Sequence, residues 1–372
     1  MKILALIHGK DHQLNDSLVS QGSDLTVYLS DKKDLELFSF AKKAQRYTTI
    51  KSLTGFGDWF FFTLFAPILW LISISRALIW KAKGYNVVIM TNLSDKLLYT
   101  LWLRLFRVRV IWVESHYYPE SFTSNIYVLL FGLLSKFVTL ATLSLAIQKQ
   151  LVQSCYVKEK LCAYVGTSID LESTKSQSDI YDTMVSAQHQ VHNANLFVIG
   201  FMGDVGLDSG LETLVKAVES IKEFIVDMQL IVVGDGDQKK NVAWLTKMLG
   251  LDDRIRFVGK QQNWMRWYNY FDIFVCPRQS KTEFSFETAY ALAHGIPTIV
   301  SSLDGMEEIC AYQSGYIIKP GASHDLGQAI LDLYNNKKQR EIFGQQGKKR
   351  AIDEYSKDAV SKRWNKLLVT NS

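Results

Sequence analysis

At 372 residues the chain is longer than one hydrophobic core ordinarily serves, so two domains are expected. Apolar residues make up 48% and charged ones 21%, which excludes a disordered or fibrous chain. The net charge of +5 is too mild to argue for nucleic acid by itself, and no arginine-rich tract or stacking-aromatic motif adds to it.

The first run, MKILALIHG, is too short for a secretory signal and has no small-residue cleavage site, so it reads as a buried strand and the protein as cytoplasmic. Short apolar runs rich in β-branched residues predict further strands over 25–29, 47–50, 86–90, 108–113 and 139–146. Helical periods lie between them, which predicts a doubly wound parallel sheet. The loop after the first strand holds His8 and Lys10, candidates for touching an acceptor.

From Trp59 to Ser75 no residue is charged, and Arg76 and Lys81 follow. About 20 apolar residues are needed to span a bilayer, so this run is marginal; Pro67 interrupts it, and it lies between two strands of one sheet. Two readings stay open: a helix buried in its own domain, or one lying on an anionic membrane over residues 59–81. In the second, Lys96, Arg104, Arg107, Arg109 and Lys136 are the fringing cations.

Residues 171–195 are polar and lack apolar periodicity, marking the interdomain linker. A second α/β series follows, with strands predicted over 196–201, 229–233, 255–258, 273–276, 298–300 and 315–318. Helices are expected over 211–224, 241–249, 264–269, 286–294, 322–335 and 337–354. The domains expected are therefore 1–171 and 172–354, with a final helix, within 355–372, returning to the first. Four cysteines, Cys155, Cys162, Cys276 and Cys310, form no CxxC pair and suggest neither zinc nor a disulfide framework, which fits a reducing compartment.

Five blocks of the second half, IGFMGDVGLDSGLETLVKA, LIVVGDGDQ, DDRIRFVGK, YFDIFVCPRQSKTEFSFETAYALAHGIPTIVSSLDGMEEI and SGYIIKPGASHDLGQAI, resemble in order and spacing the C-terminal domain of glycosyltransferase family 4 (group 1). YVGTSID at 164–170 is similar to the end of that family's first domain. The resemblance implies the GT-B fold: α/β, two Rossmann-like doubly wound domains facing a central cleft. It also implies retaining transfer of a sugar from a nucleotide diphosphate sugar, with no cofactor and no obligatory metal.

The donor site expected from the resemblance is divergent. Gly203 and Gly210 match glycines flanking a phosphate-binding arginine and lysine, but Asp204 and Ser209 stand at those two places. Of two glutamates with seven residues between them, Thr282 takes the place of the first and Tyr290 of the second; Glu283 is one place off, and Glu287 lies one turn before Tyr290. Ser285 and Phe286 open a helix whose free N–H groups suit phosphate. Glu308 matches a further family glutamate. Gly203, Ser209, Gly210, Thr282, Ser285, Phe286, Glu287, Tyr290 and Glu308 are thus the donor-binding candidates, with Tyr290 offering a phenol to ribose. Glu283 and His116, just past the strand 108–113, are the catalytic candidates.

The resulting expectation is a membrane-associated transferase of polysaccharide or glycoconjugate synthesis, with a lipid-linked or saccharide acceptor. Two alternatives stand beside it. One is an inactive GT-B partner of an active transferase, suggested by the charged donor positions that are substituted. The other is a transferase whose donor carries a single phosphate.

Overall fold

The computed structural model describes residues 2–7, 25–29, 43–46, 56–123, 126–171, 196–310 and 313–369. The chain divides into two compact units, Met1–Ser168 with Val360–Ser372, and Ile169–Ala359. The first crossing falls after Ser168 rather than 171, and the chain rejoins the first unit at Val360 rather than 355.

The first unit is built on seven parallel strands, β1 (Ile3–Ile7), β2 (Leu25–Leu29), β3 (Lys43–Arg46), β4 (Val87–Met90), β5 (Arg109–Glu114), β6 (Thr139–Thr142) and β7 (Cys162–Tyr164), in the order β3-β2-β1-β4-β5-β6-β7. Among the described residues its helices are α1 (Phe56–Ala82), α2 (Leu93–Leu105), α3 (Glu120–Thr123), α4 (Tyr127–Ser135) and α5 (Leu145–Ser154). Strand order reverses between β1 and β4, the kind of point at which an open α/β sheet takes its ligand.

Side chains alternate across this sheet, as the two-residue period requires. Leu4, Leu6, Val88, Met90, Val110 and Trp112 point to a core shared with Phe62, Ala77 and Trp80 of α1 and Leu97 and Leu103 of α2. Ile3, Ala5, Ile7, Val87, Ile89 and Ile111 point to the other face, where Val360, Trp364 and Leu368 of the last helix cover them. Arg109 holds that helix by donating to the carbonyls of Leu367, at 2.7 Å, and Leu368, at 2.8 Å.

Several expected boundaries shift. The strand over 47–50 lies outside the described residues, and the observed edge strand, KAQR at 43–46, carries no apolar run to announce it. The strand predicted over 139–146 stops at Thr142, because Ser144 caps α5 by accepting from the N–H groups of Ala146 and Ile147. The three-residue β7 went unpredicted.

The second unit holds six parallel strands, β8 (Phe197–Met202), β9 (Met228–Val233), β10 (Ile255–Gly259), β11 (Ile273–Cys276), β12 (Thr298–Ser301) and β13 (Gly315–Ile318), in the order β10-β9-β8-β11-β12-β13. Helices α6 (Leu211–Ile221) and α10 (Ser323–Asn335) share one core with Ile199, Leu230 and Val232. Helices α8 (Phe286–Ala293), α9 (Asp304–Cys310) and α11 (Lys337–Tyr355) cover the opposite face, around Met202, Val233 and Phe274. Between β9 and β10 runs α7 (Lys239–Met248), and α12 (Lys357–Val369) ends the described chain. The stretch 264–269, expected as a helix, is a 3-10 helix over Trp264–Tyr270, and residues 304–310, over which no helix is expected, form α9. Strand order here reverses between β8 and β11.

Candidate functional site

At the C-terminal edge of the second sheet three loops meet backbone to backbone, and glycines permit it. A Cβ on Gly234 (φ +140°) would lie 1.8 Å from the Gly203 carbonyl oxygen, and one on Gly210 (φ +73°) would lie 1.7 Å from that of Pro277. Any other residue at either position would force the loops apart. Hydrogen bonds lock the arrangement: Val205 N–H donates to Asp235 O at 3.0 Å, and Gln279 N–H to Asp208 O at 2.9 Å.

A cavity of about 380 Å³ opens beside this junction. Its floor is Met202, Gly203, Val233 and Gly234 at the ends of β8 and β9; Asp204, Asp235, Lys260 and Gln261 line it with polar groups, and Trp264, Phe286 and Glu287 close it. The Glu287 carboxylate stands over Gly203, where an added Cβ would be 3.5 Å from Oε1. The Ser285 hydroxyl orients it, donating to Glu287 Oε2 at 3.2 Å, while Ser285 Oγ also caps α8 by accepting from Thr288 N–H at 3.2 Å. Aromatic walls, a carboxylate set for hydroxyl donors and a helix N-terminus alongside can hold a nucleoside with an anionic tail.

Arg278 lies on the same edge, in the loop from β11 to α8. Burial pushes the Cys276 thiol up, the Glu287 carboxylate adds to this, and the Arg278 guanidinium offsets it. Cys276 Sγ is 3.9 Å from Ser285 Oγ, the cap of α8.

The residues expected from sequence fall into three groups. Gly203, Phe286 and Glu287 line the cavity, with Ser285 supporting them. Ser209 and Gly210 line a different hollow, of about 560 Å³, with Thr213, Lys216, Gln238, Trp244 and Gln279. There the buried Ser209 hydroxyl is used within its own turn, donating to Gly206 O at 2.6 Å and accepting from Leu211 N–H. Thr282 is buried and donates to Phe284 O, and the Glu308 carbonyl accepts from Arg350 and Tyr355. The carbonyl oxygens of Thr282 and Glu283 come so close to Gly305 that a Cβ there would lie 2.0 and 2.8 Å from them, which accounts for this glycine.

Tyr290 is not among the residues lining the cavity: it is buried, packs edge-on against Trp264 at 5.2 Å, and accepts a hydrogen bond from Asp170 N–H at 3.2 Å, tying down the start of the second unit. Glu287, one helical turn earlier, reaches the cavity together with Phe286.

In the first unit His116 is exposed two residues beyond β5. Its neighbour Glu114 is buried and paired with Lys96 at 2.8 Å, and Tyr118 donates to the same carboxylate oxygen at 2.8 Å. Lys96 is therefore no surface cation, and neither is Arg109, whose guanidinium serves the carbonyls at the end of α12. His8 and Lys10 lie outside the described residues.

Sequence reasoning missed Asp235, Lys260, Gln261 and Trp264 in the cavity. The first three follow the ends of β9 and β10, a position that carries a signal; Trp264 on the 3-10 helix carries none. It also missed Asp95, buried in the first turn of α2, whose carboxyl is pushed up to about 7 by burial against the opposing charges of Arg76 and Lys96.

Residues 185–350, within the second unit, match the family model for glycosyl transferases group 1. Among curated relatives, the Staphylococcus aureus capsular polysaccharide biosynthesis glycosyltransferase CapM is 22% identical over 60% of this chain and 59% of its own. The Rhizobium meliloti lipopolysaccharide core biosynthesis glycosyltransferase LpsD is 28% identical over 45% of this chain and 48% of its own. The match thus spans between about half and three fifths of these two relatives. Over whole chains, the crystal structure of Anabaena HepE in complex with UDP superposes with a TM-score of 0.79 at 17% identity, covering 99% of each. That likeness gives the fold: two Rossmann-like parallel-sheet units of the GT-B kind.

Proposed function

We propose that the protein is a glycosyltransferase of group 1 that moves a sugar, with retained configuration, from a nucleotide diphosphate sugar to a glycolipid or saccharide acceptor in polysaccharide or glycoconjugate synthesis. The observation carrying this reading is that the region matching the glycosyl transferases group 1 model contains, at its strand C-termini, a cavity with an oriented carboxylate beside a helix cap. HepE, of the same fold, is described with UDP bound.

In this reading the nucleoside enters the cavity between Gly203 and Trp264, Glu287 accepts from ribose hydroxyls, and the phosphates run toward the N–H groups at the start of α8 and toward Arg278. Transfer breaks the bond from the anomeric carbon to the diphosphate oxygen and forms one to an acceptor oxygen on the same face. The acceptor proton passes to the departing phosphate. Glu283 and His116 serve the transferred sugar. Following the family resemblance, no metal or other cofactor takes part, and the protein works in the cytoplasm. The test is incubation with radiolabelled UDP and GDP sugars and a lipid-linked acceptor: transfer or slow donor hydrolysis is expected, and neither from any donor overturns the reading.

A second reading, an inactive partner of an active transferase, is favoured by the lining itself: three carboxylates, Asp204, Asp235 and Glu287, line the cavity with Lys260, and the Ser209 hydroxyl is used within its own turn. Calorimetry separates the two, since the second predicts no heat from millimolar UDP or GDP.

A further inference from the structure

The first unit carries an apolar surface that its own core does not use. Helix α1 buries one stripe, Phe62, Ser73, Ala77 and Trp80, against the sheet, yet the opposite stripe is apolar as well. Leu64, Phe65, Ile68, Leu71, Ile72, Leu78 and Ile79 recur at helical spacing and are exposed, Ile68 by 56% and Leu71 by 69%. A helix apolar on all sides normally lies within protein or in lipid. This one continues into a wider apolar layer. Trp70 meets Trp102 of α2 at 5.6 Å, and Phe62 meets Tyr127 of α4 at 5.8 Å, so the three helices lie side by side on one face of the sheet. On the outer side of that layer α2 adds Leu101 and Leu105, and α4 adds Leu129 and Leu133.

Charge defines one border of the layer. All strands are parallel and each helix returns to the start of the next strand, so α1, α2 and α4 end on the same edge of the sheet, before β4, β5 and β6. Lys81 and Lys83, Arg104 and Arg107, and Lys136 sit at those three ends, and all five are exposed. The three helices contain only two carboxylates, Asp58 near the start of α1 and the buried Asp95.

A transmembrane role for α1 does not fit: it is long and apolar enough to cross a bilayer, but β3 before it and β4 after it belong to one sheet. We infer that the outer face of α1, α2 and α4 is a docking surface for an anionic lipid bilayer, its leucine and isoleucine side chains entering the headgroup region and its basic edge contacting the headgroups. An apolar layer bordered by cations matches an anionic membrane; a second copy of the same face would bring like charges together.

The experiment uses the full chain with sedimenting vesicles of phosphatidylcholine alone or with phosphatidylglycerol. Binding is expected to the mixed vesicles, falling about tenfold or more when salt rises from about 0.05 to 0.5 M. Ile68→Glu with Leu71→Glu should weaken it about a hundredfold, and Arg104→Glu with Arg107→Glu should abolish the preference for anionic vesicles. Both variants change exposed positions, and an unchanged melting temperature verifies their fold. Failure to sediment with either vesicle, or binding that the apolar variant leaves intact, overturns the inference. So does a dimer of the parent protein that the apolar variant converts to monomer, which would assign the face to a second copy. The readout is sedimentation rather than transfer, so it is independent of the proposed reaction.

Discussion

Glu287 and Tyr290 sit one turn apart on α8, and they should separate cleanly when each loses one polar feature. Glu287→Gln keeps the side-chain shape and an oxygen for the Ser285 hydroxyl, but replaces a charged acceptor over Gly203 by a neutral amide. A hydrogen bond to a charged group contributes about 1.5 to 3 kcal/mol, so UDP affinity should fall roughly 10- to 150-fold with little change in unfolding. Tyr290→Phe removes the acceptor for Asp170 N–H, a bond of 3.2 Å between partly buried groups. That should cost about 1 kcal/mol of stability, or about 2 to 4 °C in melting temperature, with UDP affinity unchanged. Calorimetric titration of UDP beside urea unfolding of both variants reads all four quantities. If Tyr290→Phe loses nucleotide affinity while Glu287→Gln keeps it, the assignment of the ribose contact to Glu287 is wrong.

The contrast between these two residues also shows what a one-dimensional reading can reach. The backbone architecture was legible in the second half, because strand runs such as LIVV and IFVC and the turn at Gly295-Ile296-Pro297 encode their conformation locally. The site was less so. Laying Tyr290 on a family position presumed that equal spacing along the chain means equal direction in space. The Tyr290 ring packs against Trp264, and Glu287, one turn earlier, lines the cavity. The Ser209 hydroxyl is likewise engaged locally, since a hydroxyl two residues before a helix is readily satisfied by the turn itself. Lys96 and Glu114 were invisible as a pair because 18 residues and a strand boundary separate them. Residues 59–75 stayed ambiguous for a physical reason: composition is the same for a helix buried all round and one with half its surface exposed, and only packing distinguishes them.

Three further outcomes follow from the geometry. Arg278→Ala should weaken UDP about tenfold or more in calorimetry while leaving uridine unaffected, because the guanidinium would neutralise phosphate and not base; equal losses for both ligands would remove Arg278 from the anion site. Gly210→Ala should lower urea-unfolding stability by about 2 to 5 kcal/mol, from the left-handed backbone plus the clash with Pro277 O, whereas Gly250→Ala, at φ +65° with nothing within 4 Å, should cost only about 1 to 2. The last concerns pH. The Asp95 carboxyl is pushed up to about 7 from an ordinary 3.8, so between those values the folded chain holds a proton that the unfolded chain has released. Its contribution to stability is therefore full below about pH 4 and is lost as pH rises toward 7, by up to roughly 4 kcal/mol for a shift of about three units. Arg76 and Lys96 already oppose the shift, and Asp95→Asn removes the titrating group while keeping the shape. Melting curves from pH 5 to 8 should show the variant gaining on the parent as pH increases. A difference independent of pH would mean that Asp95 is ionised throughout, held by Arg76 and Lys96 more strongly than burial opposes.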